Sequence, residues 1–279
     1  MKLYYRISDN SYKKPKLMGA TKEVCLKNFL SVFGTDVTVI ADKCEESTKE
    51  MLHKYFKKIV CTEQGNAGSL IRTIERAIEE NDDSELIYFV EDDYLHLPKA
   101  KEVLEEGIAR ADYVTLYDHP DKYTANYNLG EYSKVIKTKS SHWRYTVSTC
   151  MTFAAKVKTL IEDKEIWDKY TSETHPHDHH IFTDLGKKGR RLSVAIPGVA
   201  CHTDLEFSGR IKKILIEPWA IEMMNQELEK KILNLATEQY KQNPTKDAAN
   251  LLVGKQIYHS KQGWDRLMLL DALREQLEK

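Results

Sequence analysis

Three consecutive carboxylates, Glu91, Asp92 and Asp93, directly follow an apolar run over residues 86–90. This position at the rim of a core is costly, because negative charges repel one another strongly in a medium of reduced dielectric constant. A hard divalent cation such as Mg²⁺ or Mn²⁺ would relieve that cost, since it binds one or two carboxylates together with phosphate oxygens and water. The alternative interpretation of the triplet is a solvated acidic turn that caps the next helix.

Polar residues also follow the other predicted strands of the first half. In an open α/β sheet, ligands bind at the carboxyl ends of the strands, so we expect these residues to share an edge with the acidic triplet. They are Arg6, Ser8, Asp42 and the Gly65-Asn66 pair. A plain strand-end or turn aspartate is an equally good interpretation of Asp42. The glycines around Asn66 would let backbone amides approach a ligand, but they lack the Gly-x-Gly-x-x-Gly pattern of dinucleotide-binding proteins.

Residues 175–180 combine four histidines with Asp178 at the start of a predicted helix. A zinc site is not favoured here, because no cysteine is close and adjacent histidines on a helix point to different faces. Asp178 can cap the helix, and this interpretation is compatible with a further chemical role for the same carboxylate.

The segment over residues 87–98, which contains the acidic triplet, resembles the "DxD" segment of GT-A glycosyltransferases, some of which have Glu-Asp-Asp at this point. The resemblance extends over roughly residues 1–205: a Rossmann-like first half, the acidic motif at the fourth strand and a mixed second half. It implies that Asp93 binds a divalent ion, Mn²⁺ or Mg²⁺, which holds a nucleotide-diphosphate sugar. Glu91 would face the ribose or the sugar, and Asp92 would assist either.

The resemblance also assigns a donor-binding role to residues at the strand ends and in a late basic segment. In this interpretation Asp42 contacts the base, while the late basic residues stabilise the leaving diphosphate unless they are simply a solvated surface. The complete donor set is Tyr5, Arg6, Ser8, Asp42, Asn66, Glu91, Asp92, Arg210 and Lys213.

Further roles that the resemblance implies concern the acceptor and the metal. Asp178 would be the general base of an inverting enzyme, because an acceptor hydroxyl needs to lose its proton as it attacks the anomeric carbon. His202 would complete the shell of the metal, although a lone histidine is more often structural. On the acceptor side, Trp143 would stack on a sugar ring and Arg144 would hold an acidic group. Packing in the core is the alternative for Trp143.

The elements that must position these residues follow from the hydrophobic periodicity. Predicted strands over residues 2–8, 37–41, 59–62 and 86–90 alternate with amphipathic helices, which indicates a doubly wound parallel sheet. After a helix over residues 98–109 the pattern becomes mixed, with strands predicted at 113–117, within 145–153 and at 192–197. Helices are predicted from Ala155 and from Asp178. The predicted fold class is therefore α/β, a GT-A (Rossmann-like) mixed sheet flanked by helices.

The domain organisation predicted from these patterns is a GT-A-like catalytic domain followed by a helical appendage. Residues 1–110 form its nucleotide-binding half, residues 111–215 form its acceptor half, and residues 216–279 form a helical C-terminal extension. The extension would pack on the core or on a partner, and it could join two copies into a homo-oligomer.

Composition excludes several classes of protein. The 279 residues are 41% apolar and 30% charged, a balance that supports a folded core rather than disorder. The net charge of −1 provides no general attraction for nucleic acid. Five scattered cysteines without a Cys-x-x-Cys pair argue against a disulfide framework or a thiolate zinc site. Because no membrane span and no signal peptide are apparent, a cytoplasmic location is expected.

The predicted function is a metal-dependent glycosyltransferase that moves a sugar from a nucleotide-diphosphate sugar to a glycan or another hydroxyl acceptor, with inversion. A sugar-1-phosphate nucleotidyltransferase is the nearest alternative, although the basic loop after the first strand lacks the glycines of that class. A non-catalytic scaffold that binds partners through its helical tail is the alternative from a different class.

Overall fold

The computed structural model describes residues 1–10, 14–17, 19–124 and 133–204. Its first half alternates strands and helices as predicted. The elements are β1 (Lys2–Ser8), α1 (Lys22–Phe33), β2 (Val37–Asp42), α2 (Glu46–His53), β3 (Val60–Thr62), α3 (Gly65–Glu80) and β4 (Leu86–Glu91).

The second half mixes short strands and helices. It begins with β5 (Tyr94–His96), α4 (Ala100–Ile108), β6 (Tyr113–Thr115), α5 (Asp121–Thr124), β7 (Val135–Lys137) and β8 (His142–Thr146). It continues with β9 (Phe153–Lys156), α6 (Val157–Glu162), α7 (Lys164–Tyr170), α8 (Asp178–Lys187), β10 (Leu192–Ile196) and β11 (Ala200–His202).

Nine of these strands form one mixed sheet in the order β3-β2-β1-β4-β9-β6-β10-β8-β7. Strands β1 to β4 are parallel to one another, whereas β9 runs antiparallel between β4 and β6. Strand β10 is parallel to β6, and β8 and β7 complete the sheet in antiparallel pairs. Strands β5 and β11 form a separate antiparallel pair. The predicted fold class, a mixed α/β sheet flanked by helices, is confirmed.

Successive side chains of β1 pack alternately in the two hydrophobic cores, because side chains along a strand point to opposite faces of the sheet. Tyr4 packs in the core that contains Ile74 of α3, whereas Tyr5 packs in the core that contains Phe29 of α1. The ends of α1 follow from local chemistry. The side chain of Thr21 accepts a hydrogen bond from the backbone of Val24, and Gly34 ends the helix with a φ of 94°.

Several boundaries differ from the sequence-based prediction. The Gly65–Gly68 segment forms the first turn of α3. The helix expected from Ala155 starts at Val157, because Ala155 pairs with Ile87 of β4. One or two strands are predicted over residues 145–153, whereas β8 ends at Thr146, where its pairing with β10 ends, and β9 begins at Phe153. The short elements β5, β7, α7 and β11 carry too few residues for a periodic signal and were not predicted.

The sequence-based predictions for the end of the chain fall outside the described residues. These are the helical extension over residues 216–279, the boundary at residue 215, and the donor-binding roles of Arg210 and Lys213. Among the residues that the structure describes, no helix combines the length and apolar character that crossing a bilayer requires.

Candidate functional site

The carboxyl ends of β1, β2 and β4 lie side by side and bring the predicted donor residues to one edge of the sheet. In the strand register Arg6 is opposite Glu91, and Ser8 is opposite Asp42. Parallel pairing makes this juxtaposition unavoidable, because each strand of the first half ends at the same edge.

Arg6 organises one side of this edge. Its guanidinium lies 2.8 Å from Glu91 Oε1 and donates to the backbone carbonyl of Asn66 at 2.9 Å and to Ser69 Oγ at 3.1 Å. Burial raises the pKa of Glu91, although Arg6 lowers it, and the neighbouring carboxylates of Asp93 and Asp92 raise it further. Arg6 is almost completely buried, so it serves this network and joins β1, β4 and the start of α3.

Asp92 contacts the end of β1 and the start of α1. Its Oδ2 accepts a hydrogen bond from the Ser8 backbone at 3.2 Å and lies 3.6 Å from Lys22 Nζ. Burial raises the pKa of Asp92, and the charge of Asp93 raises it further. Asp92 and Ser8 therefore face each other at the edge where β1 and β4 end.

Asp93 forms a group of three metal-type ligands with His202 and Asp204, whose ligand atoms all lie within 4.8 Å of one another. His202 Nε2 is 3.3 Å from Asp93 Oδ2, and His202 Nδ1 accepts a hydrogen bond from the Asp204 backbone at 3.2 Å. The antiparallel pairing of β11 with β5 sets this geometry, because the Thr203 backbone then donates to the Asp93 carbonyl at 2.8 Å. It is the one such group among the described residues.

Asp204 was not singled out from the sequence. The available signal was its position two residues after His202, which places both side chains at the end of one short strand. That signal gains meaning only when β11 is known to lie beside β5 and to carry both residues to Asp93.

The chemistry of this group fits a divalent cation such as Mn²⁺ or Mg²⁺. Asp93 Oδ1 is buried and has no hydrogen-bond partner, which is costly for a carboxylate oxygen. Burial lowers the pKa of His202, so its imidazole is neutral at neutral pH, the form that binds metals. Burial alone would raise the pKa of Asp93, but His202 in its protonated form and Lys16 lower it. Two carboxylates and one neutral imidazole are a suitable ligand set.

Asp178 is the first residue of α8 and lines a cavity of about 340 Å³. Its Oδ1 accepts a hydrogen bond from the His179 backbone at 2.6 Å. Burial raises the pKa of this carboxylate, although the His179 backbone, His119 and Lys122 lower it. The walls of the cavity are His119, Lys122, Ser148, Thr149, Cys150, Asp178 and His179.

Cys150 links the cavity to the acidic edge. Burial raises the pKa of its thiol, and the charges of Asp178, Glu91 and Asp93 raise it further. Sequence reasoning did not single out Cys150. Glu91 and Asp178 are 87 residues apart in the chain, and no local pattern shows that both influence this thiol.

Four of the predicted site residues, Tyr5, Asp42, Trp143 and Arg144, pack against or bond to other residues of the protein. The ring of Tyr5 is fully buried against Phe29, so it presents no side chain to a nucleotide. Asp42 is buried and accepts hydrogen bonds from the Thr62 hydroxyl and from the backbone of Gln64 and Gly65, which is the turn-aspartate interpretation.

The two predicted acceptor residues also differ from expectation. Trp143 is fully buried, and its indole N–H donates to Thr138 Oγ1 at 2.9 Å, so it has no face for a sugar ring. Arg144 is paired with Asp118 at 2.9 Å. Trp143 is therefore a core residue, and we do not assign it an acceptor role.

No protein-family model matches the chain, and no curated protein matches it by sequence. Among solved structures, it is similar to GalNAc-T7 with UDP, GalNAc and Mn²⁺, at 11% identity over 96% of this chain and 56% of that chain, with a TM-score of 0.48. It is also similar to S. aureus TarS, at 14% identity over 91% and 78% of the two chains, with a TM-score of 0.42.

A third similar structure is a nucleotidyl transferase from Methanothermobacter thermautotroptrophicus. The identity is 10% over 70% of this chain and 87% of that chain, with a TM-score of 0.39. The solved structures to which this chain is similar therefore include both glycosyltransferases and a nucleotidyltransferase.

Proposed function

We propose that this protein is a metal-dependent glycosyltransferase that moves a sugar from a nucleotide-diphosphate sugar to a hydroxyl acceptor. The observation that carries the proposal is the group formed by Asp93, His202 and Asp204 beside the carboxyl ends of the parallel strands. It combines a cation-type ligand set with the edge of an α/β sheet at which ligands bind.

The donor half of the site would work through charge. Asp93, His202 and Asp204 would hold the divalent ion, which stabilises the negative charge that develops on the departing nucleoside diphosphate. Glu91, oriented by Arg6 at 2.8 Å, is suited to accept hydrogen bonds from ribose or sugar hydroxyls. Asp92 and Ser8 border the same edge.

The acceptor half would work through proton transfer. The Asp178 carboxylate accepts the proton of the acceptor hydroxyl while its oxygen bonds to the anomeric carbon and the bond from that carbon to the diphosphate breaks. A direct displacement of this kind inverts the anomeric configuration. The cavity beside Asp178 has room for a sugar-sized acceptor.

A thermal-shift titration tests the donor site. The full chain is heated with nucleoside diphosphates, nucleoside triphosphates and nucleotide sugars, with and without Mn²⁺, beside Asp93→Asn and Asp168→Asn, a control at an exposed position of α7. Ligand at a hundred times its Kd stabilises a protein by about 2.7 kcal/mol. We expect a Mn²⁺-dependent rise in Tm with one nucleotide in the wild type and in Asp168→Asn, and none in Asp93→Asn.

Two results would contradict the proposal. If no nucleotide changes the Tm at millimolar concentration, the proposed donor site is contradicted and the scaffold alternative is favoured. A shift with a nucleoside triphosphate but with no diphosphate would favour a sugar-1-phosphate nucleotidyltransferase.

A further inference from the structure

Lys16 reaches the metal-type group from a segment that precedes α1. Residues 14–17 run beside the end of β11: Lys16 forms an antiparallel bridge with Asp204, and the Leu17 backbone donates to the Thr203 carbonyl at 2.7 Å. Leu17 is buried and anchors this segment. The backbone at Lys16 is therefore fixed next to the two residues that complete the ligand set.

The Lys16 ammonium lies between two of the three ligands. Its Nζ is 2.8 Å from Asp93 Oδ2 and 2.5 Å from Asp204 Oδ1. A divalent ion bound by both carboxylates would need these oxygens, which the ammonium now engages. The Lys16 side chain remains 32% exposed, so it has a path to solvent.

We propose that Lys16 is a built-in, displaceable cation of this group: its ammonium neutralises Asp93 and Asp204 in the metal-free protein and withdraws when a divalent ion binds. The inference rests on the metal site of the proposed function. It assigns to one residue of this chain the control of how tightly that site holds a metal.

The inference follows from charge balance in a partly buried setting. Asp204 is 4% exposed and Asp93 is half-buried, and two such carboxylates beside each other need a counter-charge. Lys16 contacts both carboxylates and Lys14 lies 3.7 Å from Asp204 Oδ2, yet these two ammonium groups leave Asp93 Oδ1 without a hydrogen-bond partner. A divalent ion could engage that oxygen, but it would first have to replace the hydrogen bond from Lys16 to Asp93 and the ion pair of Lys16 with Asp204.

Removal of the ammonium should therefore tighten metal binding. We expect Lys16→Met to bind Mn²⁺ about tenfold more tightly than the wild type, because the ion no longer competes with the side chain. Lys16→Arg should bind Mn²⁺ no more tightly than the wild type, since a guanidinium keeps the charge and pairs with carboxylates through two hydrogen bonds.

The experiment is a calorimetric titration of the full-length, metal-free protein with Mn²⁺ alone. Lys14→Met is the matched control: it removes a second ammonium from the same segment, whose Nζ lies 3.7 Å from Asp204 Oδ2, an ion pair beyond hydrogen-bond distance. Tm values with and without Mn²⁺ provide a second readout: the rise should be larger in Lys16→Met than in the wild type. Lys16→Gln replaces Lys16→Met if the latter does not fold.

The outcomes separate this inference from the proposed function. Tighter Mn²⁺ binding in Lys16→Met, with Lys14→Met close to the wild type, supports it. Equal or weaker binding in Lys16→Met, while the wild type binds Mn²⁺, overturns the role of Lys16 and leaves the metal site intact. Absence of Mn²⁺ binding in the wild type and in every variant overturns both this inference and the metal dependence of the proposed function.

Discussion

At the scale of single residues, the acidic triplet is less exceptional than its sequence indicates. Each carboxylate has its own basic neighbour: Arg6 lies 2.8 Å from Glu91, Lys22 lies 3.6 Å from Asp92 and Lys16 lies 2.8 Å from Asp93. Mutual repulsion within the triplet therefore does not require a metal ion. A metal site is indicated instead by two residues brought from far along the chain, His202 and Asp204.

Substitution of Asp178 tests the proposed general base. Asp178→Asn should lower the rate of sugar transfer by about 10²- to 10⁴-fold, the usual contribution of a positioned base. Donor binding should persist, because the substitution does not touch the metal-type group. Folding should also persist, since the side-chain oxygen of asparagine can accept the same hydrogen bond from the His179 backbone. Steady-state kinetics and the nucleotide thermal shift measure the two effects separately.

Asp168→Asn is the control for this substitution, because Asp168 lies on the surface in α7 and pairs with Lys164. Its transfer rate should equal that of the wild type. If Asp178→Asn retains transfer within a few-fold of the wild type, then Asp178 only accepts a backbone hydrogen bond at the start of α8 and the enzyme does not use it as a base.

The pH dependence of transfer provides a second test of Asp178. Burial raises the pKa of this carboxylate above its ordinary value, against the lowering effects of the His179 backbone, His119, His179 and Lys122. Only the ionised form accepts a proton, so kcat/KM should fall on the acid side at a pH above the value of about 3.9 for an exposed aspartate.

Lys122→Gln should move that acid limb to higher pH, because it removes a positive charge that favours the ionised form. The measurement is kcat/KM from pH 4 to 8 for the wild type and for Lys122→Gln. A limb that stays in place or moves to lower pH would show that another group controls it.

At the scale of elements, α4 and β8 pack too closely for any side chain at Gly107. A Cβ atom at Gly107 would lie 2.4 Å from the Trp143 ring, which is fully buried and has no room to move. Gly107→Ala should therefore lower the free energy of unfolding by about 1–3 kcal/mol, as overpacking does in other cores. Urea unfolding measures the change.

Gly186→Ala is the matched control in α8. Nothing lies within 4 Å of a Cβ atom at Gly186, and the residue is exposed. The alanine should leave stability unchanged or raise it by up to about 1 kcal/mol, because alanine favours a helix more than glycine does. A destabilisation in Gly107→Ala no larger than in Gly186→Ala would contradict the tight packing of α4 on Trp143.

The short pair of β5 and β11 decides the geometry of the metal-type group. Each strand has three residues, and their antiparallel register places His202 opposite Tyr94. The pair continues through the hydrogen bond from Thr203 to the Asp93 carbonyl, which carries Asp204 to Asp93. Three-residue strands have too little periodicity to be predicted, so sequence reasoning located His202 but not the partner that completes its group.

At the scale of the whole molecule, the global stability should depend on one buried histidine. His96 is 1% exposed, its Nε2 lies 2.7 Å from the Tyr88 hydroxyl, and burial lowers its pKa to about 3. The unfolded chain binds a proton near pH 6.5, whereas the folded chain does not until about pH 3. The stabilising contribution is therefore complete above pH 6.5 and is lost as the pH falls towards 3, by about 1.4 kcal/mol per pH unit.

His96→Gln removes this titration, so its free energy of unfolding should depend less steeply on pH than that of the wild type between pH 4 and 6. Urea unfolding at several pH values measures the slope. His53→Gln, at an exposed position of α2, should keep the slope of the wild type. Equal slopes in the wild type and His96→Gln would contradict the buried, neutral state of His96.

The sequence by itself determined the framework of this protein. Alternation of apolar strands with amphipathic helices predicted the parallel arrangement of β1 to β4, and that arrangement alone brings Arg6, Ser8 and Glu91 to one edge. The helix that starts at Asp178 was predicted as well. Such features follow from local periods of 2 and 3.6 residues, which a linear pattern records directly.

Only the tertiary structure decided which side chains meet and which are buried. The bond between Lys16 and Asp93 joins residues 77 positions apart, and Asp204 reaches the same group through a strand pairing that no local pattern records. Trp143 and Tyr5 are buried and cannot contact a ligand, and Asp42 accepts a hydrogen bond from the backbone at the start of α3. The physical reason is that ion pairs and packing depend on distance in space, whereas periodicity depends on distance along the chain.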